Sequence, residues 1–433
     1  MSAEPQTASV ATKRLLDEYR AKTPKSQEFH DRISRSLACG ETRAVTYYRP
    51  YPIAIASAAG PAIVDYDGNS YIDLANNMSS LVHGHKFPPV VQAIEEALEV
   101  LGSVQAGSHR YLLAFVELLV ERYPAFEQVR LTNSGSEAAI LALRIARRVT
   151  GRRRMLMFEG GYHGMGSEFT DPQPDVVRVP YNDLTAVSEV LDQTMAAVFA
   201  ESFLGNGGVV PAEPGFLETL HQMSQEVGAL FVLDETQSLK SHYAAHHGAL
   251  GLRPELVIMG KCVGGGLPIG VLGGRSELIE IASASREDGL RHSGTFNGNV
   301  LTTAAGYQAM VALSADAIAT LNSRAVWLAN ELEAEGRRLQ LPLVVTRSGS
   351  TMCVHFMDRA PRNASEAAPQ TELAEWFQLA ALLEGVCVIH NGRLNMSTVL
   401  TDTDLMSAKE SLALSLERIA DLHFLHEERE PRL

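Results

Sequence analysis

Short apolar runs, separated by stretches of helical periodicity, organise the middle of the chain. Val129 to Leu131, Met155 to Phe158, Ala197 to Ala200, Leu230 to Leu233 and Leu256 to Met259 each read as a buried strand. Strand and helix alternate, which predicts a mainly parallel sheet, of the seven-stranded kind, covered by helices on both faces. Upstream, Ala62 to Tyr66 and Ser70 to Leu74 alternate around Asp67-Gly68-Asn69, a hairpin signature. A surface helix is predicted over 13–36, after a first dozen residues that are polar, small and expected to be unstructured. Downstream, a long helical region over 304–339, a strand over 351–356, a loop over 358–370, a further helix, a strand over 385–389 and a closing helix over 402–420 predict a smaller α+β lobe. The expected division is an amino-terminal segment, 1–60, shared between site and small lobe; a large ligand-binding domain, 61–310; and a small domain, 311–433.

Composition narrows the class of protein. The 433 residues are 45% hydrophobic and 20% charged, enough to bury a large core. Thirty-seven Lys and Arg against 51 Asp and Glu leave a formal charge of -14, which argues against a general nucleic-acid or anionic-membrane partner. Arg152-Arg153-Arg154 reads as a solvated turn. Cys39, Cys262, Cys353 and Cys387 lack the spacing of a disulfide framework or zinc ribbon, so reduced thiols are expected. His242 and His246 lie four apart without a metalloprotease glutamate, and no metal site is expected. No leader or membrane-length apolar run is evident, and the expected location is cytoplasmic.

In a sheet of this kind, ligands bind at the carboxyl ends of the strands. Lys261 follows the run ending at Met259 and precedes Gly264-Gly265-Gly266; desolvation there would lower its pKa and free an amine for carbonyl attack. Cys262 beside it should pack, its side chain pointing away from the lysine's if strand geometry persists. Asn133 to Ala138 opens a helix with small residues, either an anion site or an ordinary cap by Ser134 or Ser136. Tyr162, in Gly161-Tyr162-His163-Gly164, stacks on an aromatic ring or simply packs. Asp234 ends its strand as the partner of an aromatic nitrogen cation or as a helix cap. Taken together, a phosphate cradle, a stacking ring, a carboxylate and a carbonyl-trapping lysine are what pyridoxal 5′-phosphate requires.

These motifs, in this order, resemble the class III aminotransferases of fold type I, a family that includes glutamate-1-semialdehyde aminomutase; the likeness runs from about Tyr19 to the last helix. The resemblance implies the pyridoxal-phosphate-dependent transferase fold and a homodimer with shared sites. It further implies that Lys261 forms the internal aldimine, Asp234 pairs with the pyridine nitrogen and Tyr162 stacks on the ring. Ser134, Gly135 and Ser136 would hold the phosphate, Gln237 would contact the 3-oxygen, and Thr295 would reach the phosphate in the neighbouring subunit. Thr236 stands where valine is usual and would present a hydroxyl to the ring; Ser202-Phe203 and Leu239-Lys240 are further departures.

Within the family, Thr42 to Pro52 and His292 to Asn297 are similar to β-amino acid (β-phenylalanine-type) aminotransferases. By that likeness Arg43, with Val45 nearby, grips the substrate carboxylate through its forked guanidinium; the alternative for Arg43 is a surface ion pair. Asn391 stands about where those enzymes carry a second arginine, with Arg393 two residues on. The function so implied is ping-pong transfer of an amino group from a β-amino acid or related amine to a 2-oxo acid. A glutamate-1-semialdehyde-type aminomutase and an amine:pyruvate ω-transaminase are the alternatives.

Overall fold

The computed structural model describes residues 10–368 and 371–427. Its centre is a seven-stranded sheet in the order Gln128–Thr132, Gly270–Gly274, Leu256–Gly260, Leu230–Asp234, Met195–Glu201, Arg154–Phe158, Val176–Val179. All five predicted strands are present. Gly270–Gly274 pairs antiparallel with both neighbours, while the other pairings are parallel.

Both faces are covered because each strand alternates its side chains between them. Met155, Met157, Phe199, Val232 and Ile258 pack with Ala138, Ala142 and Ala146 of the helix Gly135–Thr150. Leu156, Phe158, Val198, Phe231 and Leu233 pack on the other side with Phe216, Leu217 and Leu220 of the helix Phe216–Val227. Each large side chain so buried contributes about 1.5–3 kcal/mol. Gly151, at φ 67°, ends the first of these helices, its N–H donating to the Arg147 carbonyl.

The predicted hairpin forms from Ala62–Asp65 and Ser70–Asp73, with Asp65 Oδ1 accepting from the N–H groups of Asp67 and Asn69 in the turn. It belongs to a four-stranded sheet: Ile55–Ala59 flanks one side, and Val386–Cys387 pairs parallel with Ser70–Asp73 on the other. Val344–Ser348, Thr351–His355 and Arg393–Asn395 form a separate antiparallel sheet.

Several predicted elements differ, and the loop expected over 358–370 holds a short helix, Ala364–Ala367, capped by Asn363. The helix expected over 13–36 is two, Val10–Lys22 and Pro24–Ile33, because proline removes an internal donor and suits a helix start. Nor does the first lie wholly on the surface: Leu15, Leu16 and Tyr19 are buried in the main core, and Arg418 ties Glu18 to Glu384. Residues 10–12, expected to be unstructured, open this helix; the rest of that expectation lies outside the described residues. The long region at 304–339 divides into Val300–Ala312 and Ala315–Arg338, where Ser314 caps the second helix by accepting from Ala317 N–H. Strand geometry at Leu256–Gly260 does not continue through Lys261, which begins a 3-10 turn, yet Cys262 is buried in the core as expected. No described helix is long and apolar enough to cross a membrane, and the described residues contain no cluster of metal-binding side chains.

Candidate active site

The carboxyl edge of the large sheet delivers residues from five strands to one cavity of about 490 Å³. Gln128–Thr132 leads to Ser134, Gly135 and Ser136. Arg154–Phe158 leads to Tyr162 and His163. Glu201 and Asp234 end their own strands, Thr236 and Gln237 follow Asp234, and Lys261 follows Gly260. Arg43, from the amino-terminal segment, lines the same space with Asn77 and Ser80. Val45 and Thr295 do not: both are exposed, Thr295 on the segment before the helix Val300–Ala312.

Lys261 has φ +54°, in the left-handed region that a side chain disfavours. Burial, helped by the Arg393 guanidinium, lowers its pKa to about 7 against the opposing pull of Glu201 and Asp234. A large share of the amine is therefore neutral at physiological pH.

Asp234 is buried with both oxygens engaged: Oδ1 accepts from Thr236 N–H at 3.0 Å, and Oδ2 lies 3.0 Å from His163 Nδ1. His163 Nε2 has no hydrogen-bond partner among the described residues. Glu201 is buried beside them; its Oε2 accepts the Tyr162 N–H at 3.0 Å and its Oε1 the Gly205 N–H at 3.2 Å. Burial, and the neighbouring Asp234 charge, push the Glu201 carboxyl up to about 7 although His163 opposes them. Burial, then Asp234, also raises the Tyr162 phenol, whose ring remains 39% exposed toward the cavity.

Ser134 caps the helix Gly135–Thr150, its Oγ accepting from Glu137 N–H at 3.2 Å, while Ser136 Oγ accepts from Met165 N–H. The cap does not exhaust the helix start, since one side-chain oxygen satisfies only one of its free donors, and the others remain available to an anion. A Cβ at Gly135 would meet Thr236 Oγ1 at 3.1 Å, and one at Gly164 would overlap Ser136. The Thr236 hydroxyl is buried without a partner. An anion cradle narrowed by glycines, an open aromatic face, a fixed carboxylate, an unspent hydroxyl and a deprotonatable lysine thus fit pyridoxal 5′-phosphate.

Sequence reasoning did not single out His163, Glu201 or Asn77. His163 adjoins Tyr162 and Glu201 ends an apolar run as Asp234 does, so the strand-end rule already pointed near both. Among the described residues Arg43 makes no ion pair; its Nη2 donates to Asn77 Oδ1 at 3.0 Å. Arg393 is buried, and its Nη1 donates to Gln237 Oε1 at 2.9 Å and the Gly205 carbonyl at 3.0 Å. Asn391 lines a separate cavity of about 280 Å³ with Cys353 and His355. Lys240 is buried with its Nζ on Asn395 Oδ1, and desolvation lowers its pKa to about 8.

One wall of the site is unusual. Asn76, Asn77, Met78 and Ser79 form a left-handed turn with φ of 47°, 44°, 57° and 68°. Left-handed backbone costs on the order of 1–2 kcal/mol per residue and normally occurs singly. Asp73 Oδ1 offsets part of that by accepting from the N–H groups of Ala75 and Asn76, and Asn76 Nδ2 donates to the Asn395 carbonyl at 2.8 Å.

Comparison with known proteins agrees with this chemistry. The family model described as Aminotransferase class-III matches residues 44–422. The chain is 34% identical over 416 residues to a beta-phenylalanine transaminase of Variovorax paradoxus, covering 92% of this chain and 95% of that one. It is 36% identical over 341 residues to glutamate-1-semialdehyde 2,1-aminomutase 2 of Halalkalibacterium halodurans, covering 73% and 79% of the two chains. The crystal structure of an omega-transaminase from Sphaerobacter thermophilus superposes with a TM-score of 0.87 at 30% identity, over 91% of this chain and 97% of that one. A family match across most of the chain, on a sheet whose strand ends converge on Lys261 and Asp234, makes this protein a member of the class III aminotransferases, pyridoxal 5′-phosphate-dependent enzymes of fold type I.

Proposed function

We propose that the enzyme transfers the amino group of a β-amino acid, or a related amine, to a 2-oxo acid in two half-reactions through one cofactor site. The observation that carries this reading is the presence of Arg43 in the same cavity as Lys261 and Asp234, bonded to a neutral amide rather than to a carboxylate. Bound there, pyridoxal 5′-phosphate supplies a sink for the electrons released when the donor's C–H bond breaks. Lys261 would hold the cofactor and, released as a neutral amine when the donor amine takes its place, would carry the proton from the donor carbon. Asp234, oriented by His163 and the Thr236 N–H, would keep a proton on the ring nitrogen. Tyr162 would stack on the ring, Ser134, Gly135 and Ser136 would hold the phosphate, and Thr236 and Gln237 would meet the ring and its oxygen. Arg43 receives the donor carboxylate in a two-point contact, while Val45, exposed and outside the cavity, is given no contact with it.

The same proposal takes 61–310 as the cofactor-binding unit and 1–60 with 311–433 as the smaller one. Apart from Arg43, the cavity lining falls within 61–310. It also takes the protein as a cytoplasmic homodimer in which Thr295 reaches the partner subunit's cofactor phosphate; exposure of Thr295 supports a role outside its own cavity.

A donor panel of β-phenylalanine, 1-phenylethylamine and α-phenylalanine, each with pyruvate or 2-oxoglutarate, tests the reading, with Arg43→Ala run alongside. The expected result is turnover of β-phenylalanine that Arg43→Ala weakens through KM. Unchanged handling of β-phenylalanine by that variant overturns the carboxylate role. With donor alone the enzyme should stop after half a cycle; continued turnover of a single amino aldehyde without acceptor would instead identify an aminomutase.

A further inference from the structure

The left-handed turn Asn76–Ser79 stands between two guanidinium groups. Asn77 Oδ1 accepts from Arg43 Nη2 at 3.0 Å, and Met78 Sδ lies 3.5 Å from Arg393 Nη2. The two cations are held differently. Arg393 is buried and turned inward, its Nη1 on Gln237 and the Gly205 carbonyl. Arg43 is exposed on the amino-terminal segment, and its side chain reaches the cavity with Asn77 as its acceptor. A long exposed arginine loses much rotamer freedom when held in one place, so a fixed acceptor at its tip decides where the guanidinium points.

That acceptor is itself rigidly placed. Asn77 Nδ2 donates to Ser80 Oγ at 2.9 Å, which orients its oxygen toward Arg43. Beneath the turn, Asn76 is tied to the Asn395 carbonyl, Asn395 Nδ2 donates to the Ala75 carbonyl, and the buried Lys240 donates to Asn395 Oδ1. Four consecutive residues at positive φ persist only where their surroundings hold them, and such strain gathers where geometry has to be kept.

We propose that this turn sets donor specificity: Asn77 is a positioning residue that aims the Arg43 guanidinium at a donor carboxylate, while Met78 caps Arg393 and keeps the second guanidinium turned away. The consequence is selectivity for a donor with one carboxylate, beyond the amine, over the same amine without it. The inference rests on Arg43 as the carboxylate-binding residue.

The test compares holoenzyme KM for β-phenylalanine with KM for 1-phenylethylamine, which carries a methyl where the former carries a carboxymethyl group. Asn77→Gly removes the amide yet tolerates the left-handed backbone. It should raise the KM ratio about tenfold, the size expected for loss of a charged hydrogen bond, with a much smaller change in kcat for β-phenylalanine. Asn77→Asp, whose carboxylate would take the guanidinium for itself and repel the donor's, should raise the ratio at least as far. The proposal is overturned if Asn77→Gly raises both KM values together, or leaves the ratio where it was while Arg43→Ala raises it. If Arg43→Ala leaves the ratio unchanged, the carboxylate role itself falls and this inference with it.

Discussion

At Lys261 the protein combines backbone strain with an amine whose pKa burial has lowered to about 7. Replacement by alanine should cut steady-state transamination by at least about a thousandfold, the scale of a lost proton carrier. Borohydride reduction and peptide mapping of the cofactor-loaded wild type should find the adduct at position 261. Because the neutral amine is the reactive form, loading of cofactor-free protein should accelerate as pH rises through about 7, followed by growth of the visible absorption band. Glu201 gives a separate signature. Its carboxyl titrates near 7 in the fold against an ordinary value of 4.5, so between those values the native state keeps a proton that the unfolded chain has lost. Stability should therefore fall as pH rises across that window, by up to about 3 kcal/mol, and Glu201→Gln should remove this slope in urea melts at pH 5 and pH 8. Lys261, Asp234 and Tyr162 were legible because each follows an apolar run at the edge where ligands bind. His163 was not: its meaning lies in the contact with Asp234, which only the pairing of strands creates.

Among the elements, Gly270–Gly274 escaped prediction because glycine weakens a strand signal, and here the glycines mark close backbone approach. A Cβ at Gly270 would overlap the Ser134 carbonyl, directly behind the phosphate cradle. Gly270→Ala should therefore push the Ser134 loop out of place, weakening cofactor affinity at least about tenfold and lowering the melting temperature by several degrees; equilibrium dialysis and a thermal melt of the cofactor-free protein read the two effects. The helix boundaries failed for a related reason. Apolar periodicity passes smoothly across Thr23 and Leu313, whereas the breaks are made by Pro24 and by the Ser314 cap, both local signals that a periodic pattern overrides. Strand existence, by contrast, was secure wherever the run was apolar on both sides, since only a sheet covered twice can bury it.

For the whole molecule, Thr295 lies exposed and outside the cavity of its own chain, and the expectation places it at the neighbouring subunit's cofactor phosphate. If a second copy supplies the cavity into which Thr295 reaches, sedimentation should give twice the chain mass, and Thr295→Ala should speed cofactor release without altering the protein's own Lys261 chemistry. Dilution below the dimer's dissociation constant should speed release in the same way in the wild type. Sequence pattern carried the large sheet well because its strands follow one another in short βα units. It carried the smaller sheets only in part: the hairpin Ala62–Asp65/Ser70–Asp73 was legible, whereas Val386–Cys387 and Arg393–Asn395 pair with segments far off in the chain and leave no local trace of it.

The pairing of Ser70–Asp73 with Val386–Cys387 has a consequence for biosynthesis. More than half of the polypeptide must leave the ribosome before that early strand meets its mate, and the first helix, Val10–Lys22, waits equally long for the helices Thr371–Leu383 and Asp402–Glu427 that pack on it. The nascent chain therefore carries a sticky amino-terminal hairpin through most of translation, and slowing elongation or withholding chaperones should cost soluble yield at this step before any other.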